Sequence, residues 1–402
     1  MTGGERSDGG RLRIALVHSY HHTEVPSGEN VVVDAQAQAL QDAGHEVVVV
    51  AQHNDLRRRR RTYPLEAAAT VATGIGPDPT AMLRRIAPDV VHVHNLFPNF
   101  GTRWLARWDG PLVATLHNFR PICPAGTLLR DGKRCTDCIV TPRSAVTHGC
   151  FQNSRVATLP LALATRGGAT QHPVVRRADR LITISQRAAD EYLAAGVSAE
   201  KLTVVPNAVT DLADPAGPVV ADGERTDHVH APRWLFVGRL SAEKGVDALL
   251  ERWPAHLPID LVGSGELAAD LEARFADRPE IRFLGGMGNE EVRRLLGRYT
   301  GLVVPSQWAE AGPPLTYVEA LASRVPVVAF AGNGAADDVA RHGTGVVVDR
   351  RPDPADLAVA LKDVQRDRTA LSRRARATYD QHFSTRAWVQ ALTETYRETI
   401  HG

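Results

Sequence analysis

The stretch LFVGRLSAEKGVDALLE, residues 235–251, sets a glycine, an arginine and a lysine where a short apolar run gives way to an amphipathic one. Arg239 offers a planar fork of donors and Lys244 a compact point charge, and both suit a phosphate. Gly238 lets backbone come close to such a ligand. Lys244 is also one of only four lysines among 47 basic residues. VGSGE, Val262 to Glu266, repeats the idea on the next apolar run. Gly263 and Gly265 stand there ahead of a helical segment whose first amides can face an anion. Neither stretch spells G-x-G-x-x-G, so the dinucleotide fingerprint is absent. A third stretch, PSQWAEAGPPLTYVEALA, carries Glu310 in a loop and Glu319 on a helix. A carboxylate accepts both hydroxyls of a vicinal diol. The turn through Gly312, Pro313 and Pro314 to Leu315 frees backbone amides for sugar oxygens. Each stretch alone could be solvated loop charge or a helix cap. Together they describe one ligand, a diphosphate with polyol ends, which is a nucleotide sugar.

Such residues must be carried to one place by the elements around them. LRIALVHS, VVVVAQ, DVVHVHN, LVATLHN, DRLITIS and LTVVPNAV read as buried strands. Helical patterns such as VVVDAQAQALQDAGHE lie between them. WLFVG, IDLVG, IRFLG, GLVVPS, VPVVAF and GVVVD repeat the scheme in the second half. Strands alternating with helices predict parallel sheets covered on both faces. The expected fold is therefore α/β, two doubly wound Rossmann-like domains facing each other across a cleft. Ligands of open α/β sheets sit outside the carboxyl ends of the strands, where the candidate residues fall.

Composition narrows the classes. With 47 basic and 46 acidic residues the net charge is +1, which argues against a nucleic-acid binder. No apolar run approaches the roughly 18 residues of a membrane span, so no integral membrane segment is expected. The opening MTGGERSDGG reads as a polar tail rather than a signal peptide, and a cytoplasmic protein is expected. The run Arg57–Arg61 could touch anionic lipid, so peripheral membrane contact is open; a solvated loop face is the plainer reading. His21 and His22 could supply a base or touch an acceptor. His92 and His94 share one face of a strand and read as structural. The sequence leaves the oligomeric state open.

All four cysteines, Cys123, Cys135, Cys138 and Cys150, fall in one segment with the spacing C-x11-C-x2-C-x11-C. In a reducing compartment this suits a structural tetrathiolate zinc site that would order a polar, glycine-rich loop. Reduced thiol pairs and an iron–sulfur cluster remain alternatives. Four thiolates leave no open position for catalysis.

The motifs HTEVPSGENVVV, DVVHVHNLFPNF, TLHNFRPICPAGTLLRDGKRCTDC, VVPNAV, FVGRLSAEKG, VGSGE and PSQWAEAGPPLTYVEALA together resemble the retaining glycosyltransferases of family four, with the GT-B fold. The likeness is to the subgroup with a cysteine-containing loop in the first domain, and it runs from about Leu12 to Asp349. It implies that Arg239 and Lys244 bind the donor diphosphate, that Glu310 faces the transferred sugar and that Glu319 meets the nucleotide ribose. Gly28 would approach the donor phosphate and His117 would sit beside the sugar. It also implies that no catalytic metal is needed. Residues 1–11 would be a disordered tail. Residues 12–210 would form an N-terminal acceptor-side domain with the cysteine loop at 118–155. A linker at 211–231 would lead to a C-terminal nucleotide-sugar-binding domain at 232–380 and a closing helix at 381–402. The chain departs from the family pattern in three places. One residue more separates Glu310 from Glu319, Asn207-Ala208 replaces Asn-Gly, and AGNGAADDVARHGTG is a loose form of the glycine-rich segment. The expected function is transfer of a sugar from a nucleotide-diphosphate sugar, UDP-sugar favoured, to a hydroxyl of a glycan or small-molecule acceptor, with retention. A non-catalytic nucleotide-sugar-binding protein of the same fold and a nucleotide-sugar epimerase are the alternatives.

Overall fold

The computed structural model describes residues 10–20, 28–58, 60–131, 133–211, 232–306 and 310–402. His21, His22 and Arg59 lie outside the described residues, as do 1–9 of the expected tail and 212–231 of the expected linker.

The apolar runs of the first half become a parallel six-stranded sheet. Its strands are β1 (Arg13–Tyr20), β2 (Glu46–His53), β3 (Val90–Asn95), β4 (Leu112–Leu116), β5 (Arg180–Thr183) and β6 (Leu202–Val204). The spatial order is β2-β1-β3-β4-β5-β6. The second half gives β7 (Trp234–Val237), β8 (Ile259–Val262), β9 (Ile281–Gly285), β10 (Gly301–Val304), β11 (Val327–Phe330) and β12 (Gly345–Val348). Its order is β9-β8-β7-β10-β11-β12. Helices on both faces explain why the runs are continuously apolar rather than alternating. All five residues of β4 and all four of β11 are buried. This is the two-domain α/β architecture read from the sequence.

The chain divides into two units. The first comprises residues 1–130, 134–206 and 388–402; the second comprises 131–133 and 207–387. The last helix, Thr385–His401, thus contributes most of its length to the first unit. There Tyr396 is fully buried, its hydroxyl accepting from Gln36 Nε2 at 2.9 Å and lying 2.7 Å from His92 Nδ1. His92 Nε2 lies 2.7 Å from Thr115 Oγ1. These partners fit a neutral imidazole that donates through Nε2 and accepts through Nδ1. Burial lowers its pKa to about 3. His92 is thus a satisfied core group, as its alternating position suggests.

Strand order reverses between β1 and β3 in one sheet and between β7 and β10 in the other. Such switch points leave a crevice outside the strand ends. At the first, the pairing of β1 with β3 runs Val17 with Val93 and then His18 with Asn95, so His94 is the extra residue of a bulge. A bulge at such a place re-aims the side chain it carries.

Candidate active site

Each unit assembles one cluster at its switch point. In the second unit, β7 ends at Val237, and residues 238–245 lead through a tight turn at Ala242–Lys244 into helix Val246–Arg252. Arg239 is exposed, whereas Lys244 is half-buried and pairs with Glu310 Oε1. The other oxygen, Glu310 Oε2, is buried without a hydrogen-bond partner among the described residues. The residues expected to meet diphosphate and sugar are therefore in contact, although 65 residues separate them in the chain.

Two glycines of VGSGE serve packing. At Gly263 φ is +150°, and a Cβ there would come within 1.8 Å of the Gly238 carbonyl oxygen. At Gly265 a Cβ would come within 2.3 Å of the Leu240 carbonyl oxygen. The loops after β7 and β8 are drawn together by Gly238 N–H donating to Val262 O at 3.0 Å and Leu240 N–H donating to Ser264 O at 2.9 Å. The next helix begins only at Ala268. Gly263 and Gly265 thus stand ahead of the helix, as the sequence suggested.

Gly312 and Pro313 lead to helix Leu315–Ala322, which Pro314 precedes. A Cβ at Gly334 would come within 2.6 Å of the Gly312 carbonyl oxygen, so this turn is pressed against helix Gly334–His342. Asn333 caps that helix through Ala336 N–H at 2.9 Å, and its Nδ2 donates to Val304 O and Ser306 O, both at 3.2 Å. Asn333 therefore holds the chain leaving β10 in place. The sequence reading gave it no role, although an Asn before a helix is a standard capping signal.

Glu319 is 5% exposed, and Arg293 Nε lies 3.5 Å from its Oε1. Burial raises its pKa to about 7, against the smaller lowering by Arg293. A carboxylate so placed is on the edge of ionising and gains from any ligand hydroxyl that donates to it. Asp338 is likewise raised to about 6 by burial.

In the first unit, Gly28 is the first residue of helix Gly28–Asp42 and is exposed; the expected helix began three residues later. The residue after it, Glu29, was missed in the sequence and is the hub of the cluster. Its two oxygens accept from Asn95 Nδ2 at 2.9 Å and Asn118 Nδ2 at 2.8 Å. β3 and the chain after β4 both end in His-Asn. The two asparagines hold Glu29, and the two histidines hold each other, with His94 Nδ1 lying 2.9 Å from His117 Nε2. Burial lowers the pKa of His117, with Glu29 opposing, so its imidazole is neutral.

The four cysteines come near one another, since Cys123, Cys150 and Cys135 all act electrostatically on Cys138. None is in a disulfide. Among the described residues no three His, Cys, Asp or Glu side chains are arranged to hold a metal ion. Cys123 and Cys138 are buried, while Cys135 and Cys150 are half-buried. Burial, with the other three cysteines nearby, pushes the Cys138 thiol up to about 11. The segment is tied down by hydrogen bonds, such as Tyr192 Oη donating to Asn118 O at 2.7 Å, and by a bidentate Arg134–Glu191 pair at 2.6 and 2.8 Å.

Among the described residues no helix is long and apolar enough to cross a membrane. The run Arg155–Ala164 forms a helix of ten residues packed on Tyr63–Thr73, with Val156 and Leu159 exposed.

Comparison with known proteins agrees with this architecture. Residues 26–211 match the model of Glycosyltransferase Family 4, and residues 231–367 match that of Glycosyl transferases group 1. The glycogen synthase of Mycobacterium tuberculosis is 29% identical over 319 residues, which is 77% of this chain and 67% of that protein. Sucrose-phosphate synthase from Thermosynechococcus elongatus shares the fold with a TM-score of 0.66 at 18% identity, covering 97% of this chain and 100% of that one. Anabaena Alr3699/HepE in complex with UDP-glucose does so with a TM-score of 0.57 at 18% identity, covering 96% and 100%. The two family matches fall in order on the two six-stranded sheets, and the chain is a glycosyltransferase of the GT-B fold, a Family 4 domain followed by a group 1 domain.

Proposed function

We propose that the protein transfers a sugar from a nucleoside-diphosphate sugar, with UDP as the favoured nucleotide, to a hydroxyl acceptor with retention at the anomeric carbon. The observation that carries this reading is the Lys244–Glu310 contact at the switch point of the second sheet, with Arg239 exposed in the loop that leads to Lys244. A diphosphate entering there would meet two cations, and its sugar would meet the Glu310 oxygen that has no hydrogen-bond partner among the described residues. UDP-glucose in the structural neighbour supports the choice of nucleotide.

In the reaction, the bond from the anomeric carbon to the diphosphate oxygen breaks and the bond to the acceptor oxygen forms on the same face. Charge grows on the leaving diphosphate, and Arg239 and Lys244 offset it. Fixed donors of this kind contribute most where charge develops. The departing phosphate oxygen takes the acceptor proton, so no protein base is required. Neutral His117 can hydrogen-bond a sugar hydroxyl, and Glu319 can accept from the ribose.

The test is a thermal-shift panel of UDP, GDP, ADP and their sugar conjugates on the parent and Lys244→Ala. A ligand at 100 times its Kd adds about 2.7 kcal/mol, a visible shift. One nucleotide should stabilise the parent and not the variant. Proton NMR of the turnover product should show the donor's anomeric configuration retained. No stabilisation by any nucleotide would refute the donor assignment, and an inverted product would refute retention.

A further inference from the structure

A cavity of about 100 Å³ opens beside the strand ends of the first unit, large enough for more than a single water. Its lining includes His94, His117 and Asn118 from the strand ends, Phe97, Arg120 and His172. Three polar atoms on these side chains are buried without a hydrogen-bond partner: Arg120 Nε, His94 Nε2 and His172 Nδ1. Orphaned buried polar atoms are uncommon, and three of them belong to residues that line one cavity, which points to a ligand there.

The chemistry of that ligand follows from the charges. Arg120 stands with its guanidinium carbon 4.1 Å from the centre of the Phe97 ring. Its Nη1 donates only to the Pro124 carbonyl, at 3.2 Å. Among the described residues no carboxylate lies within ion-pair distance of it; Glu29, which acts on it electrostatically, is held by Asn95 and Asn118. Arg120 is half-buried with its Nε buried, and a cation so placed gains from a counter-charge. His172 is neutral, its pKa lowered to about 4 by burial and by Arg120. His94 is neutral for the same first reason. A neutral imidazole donates through one nitrogen. The cavity thus presents one fixed positive charge and imidazole N–H groups, among apolar walls that include Leu161 and Pro121.

We propose that this cavity receives an oxyanion of the acceptor, a phosphate monoester or a carboxylate, and that Arg120 is the residue that selects it. The inference rests on the glycosyltransferase reading above, with the first unit as the acceptor side. The alternative role of Arg120, stacking on Phe97 and Phe151 to order the cysteine segment, predicts no ligand selectivity.

The experiment is saturation-transfer NMR on the full chain with the donor site filled by UDP. Glucose 6-phosphate and glucuronate are each compared with glucose. At least one charged probe should bind tenfold or more tightly than glucose, and which one does so identifies the phosphate or the carboxylate. Arg120→Gln should abolish the difference while UDP still binds, and Arg120→Lys should restore part of it. Equal binding of charged and neutral probes, or binding of none while UDP binds, overturns the proposal. A preference that survives Arg120→Gln overturns the role of Arg120. If Arg120→Gln does not fold, the comparison of probes on the parent still decides the existence of the site. Failure of UDP itself to bind overturns the donor reading instead.

Discussion

Glu319 gives a prediction whose size can be worked from its surroundings. Its ordinary pKa of 4.5 is raised to about 7 in the folded chain, chiefly by burial. Between these values the folded protein holds the proton more tightly than the unfolded one. Stability therefore falls as pH rises through that window, and the penalty is fully present above about pH 7. A shift of that size corresponds to about 3 kcal/mol at ~1.4 kcal/mol per unit. Glu319→Gln keeps the shape and removes the charge. Relative to the parent it should gain up to about 3 kcal/mol at pH 8 but less than about 1 kcal/mol at pH 5. For a unit of this size that is a Tm difference of roughly 6–12 °C at the higher pH, read by scanning calorimetry. An amide facing Arg293 carries its own cost, but that cost does not vary with pH, so the slope is the measure. Asp338 titrates in both proteins and cancels. A parent–variant difference that is the same at pH 5 and pH 8 would refute the reasoning. The same group gives a functional readout. If the ribose binds the ionised carboxylate, UDP affinity should weaken about tenfold per pH unit below about 7 in the parent and stay flat in Glu319→Gln.

Other outcomes follow from the contacts described. Lys244→Ala should lower turnover about 100- to 1,000-fold with the fold intact, the loss typical of one fixed donor. Sugar-transfer rates within tenfold of the parent would remove Lys244 from the diphosphate site. Gly263→Ala places a Cβ 1.8 Å from the Gly238 carbonyl oxygen at a φ of +150°. It should cost at least ~2 kcal/mol, through backbone strain and the parting of the loops after β7 and β8, measured by urea unfolding. Tyr396→Phe removes the hydroxyl shared by Gln36 and His92. It should destabilise the first unit by about 1–3 kcal/mol, the usual cost of a buried group left without its partner. A Tm equal to the parent's would show that the hydroxyl contributes nothing.

The sequence by itself determined the architecture. Twelve apolar runs separated by helical patterns leave parallel sheets covered on both faces as the economical solution, and each run became a strand. It also marked the stretches that carry Arg239, Lys244, Glu310 and Glu319, because glycine and proline beside charge at a strand end are local signals. What it could not supply was partnership between distant residues. That Lys244 grips Glu310, and that two His-Asn strand ends close on Glu29, depends on which strands are neighbours at a switch point. Gly263 and Gly265 read as ligand-facing in the sequence, and only the fold shows that they are also the places where two loops touch. The cysteine spacing suggested a metal cage, and tertiary packing decides where each thiol lies: Cys123 and Cys138 are buried and Cys135 and Cys150 half-buried. Arg120 gave no signal in the sequence, since a half-buried guanidinium whose Nε finds no partner among the described residues is a property of its surroundings. Spacing along a chain reports local geometry; burial and partner choice are set by the whole fold.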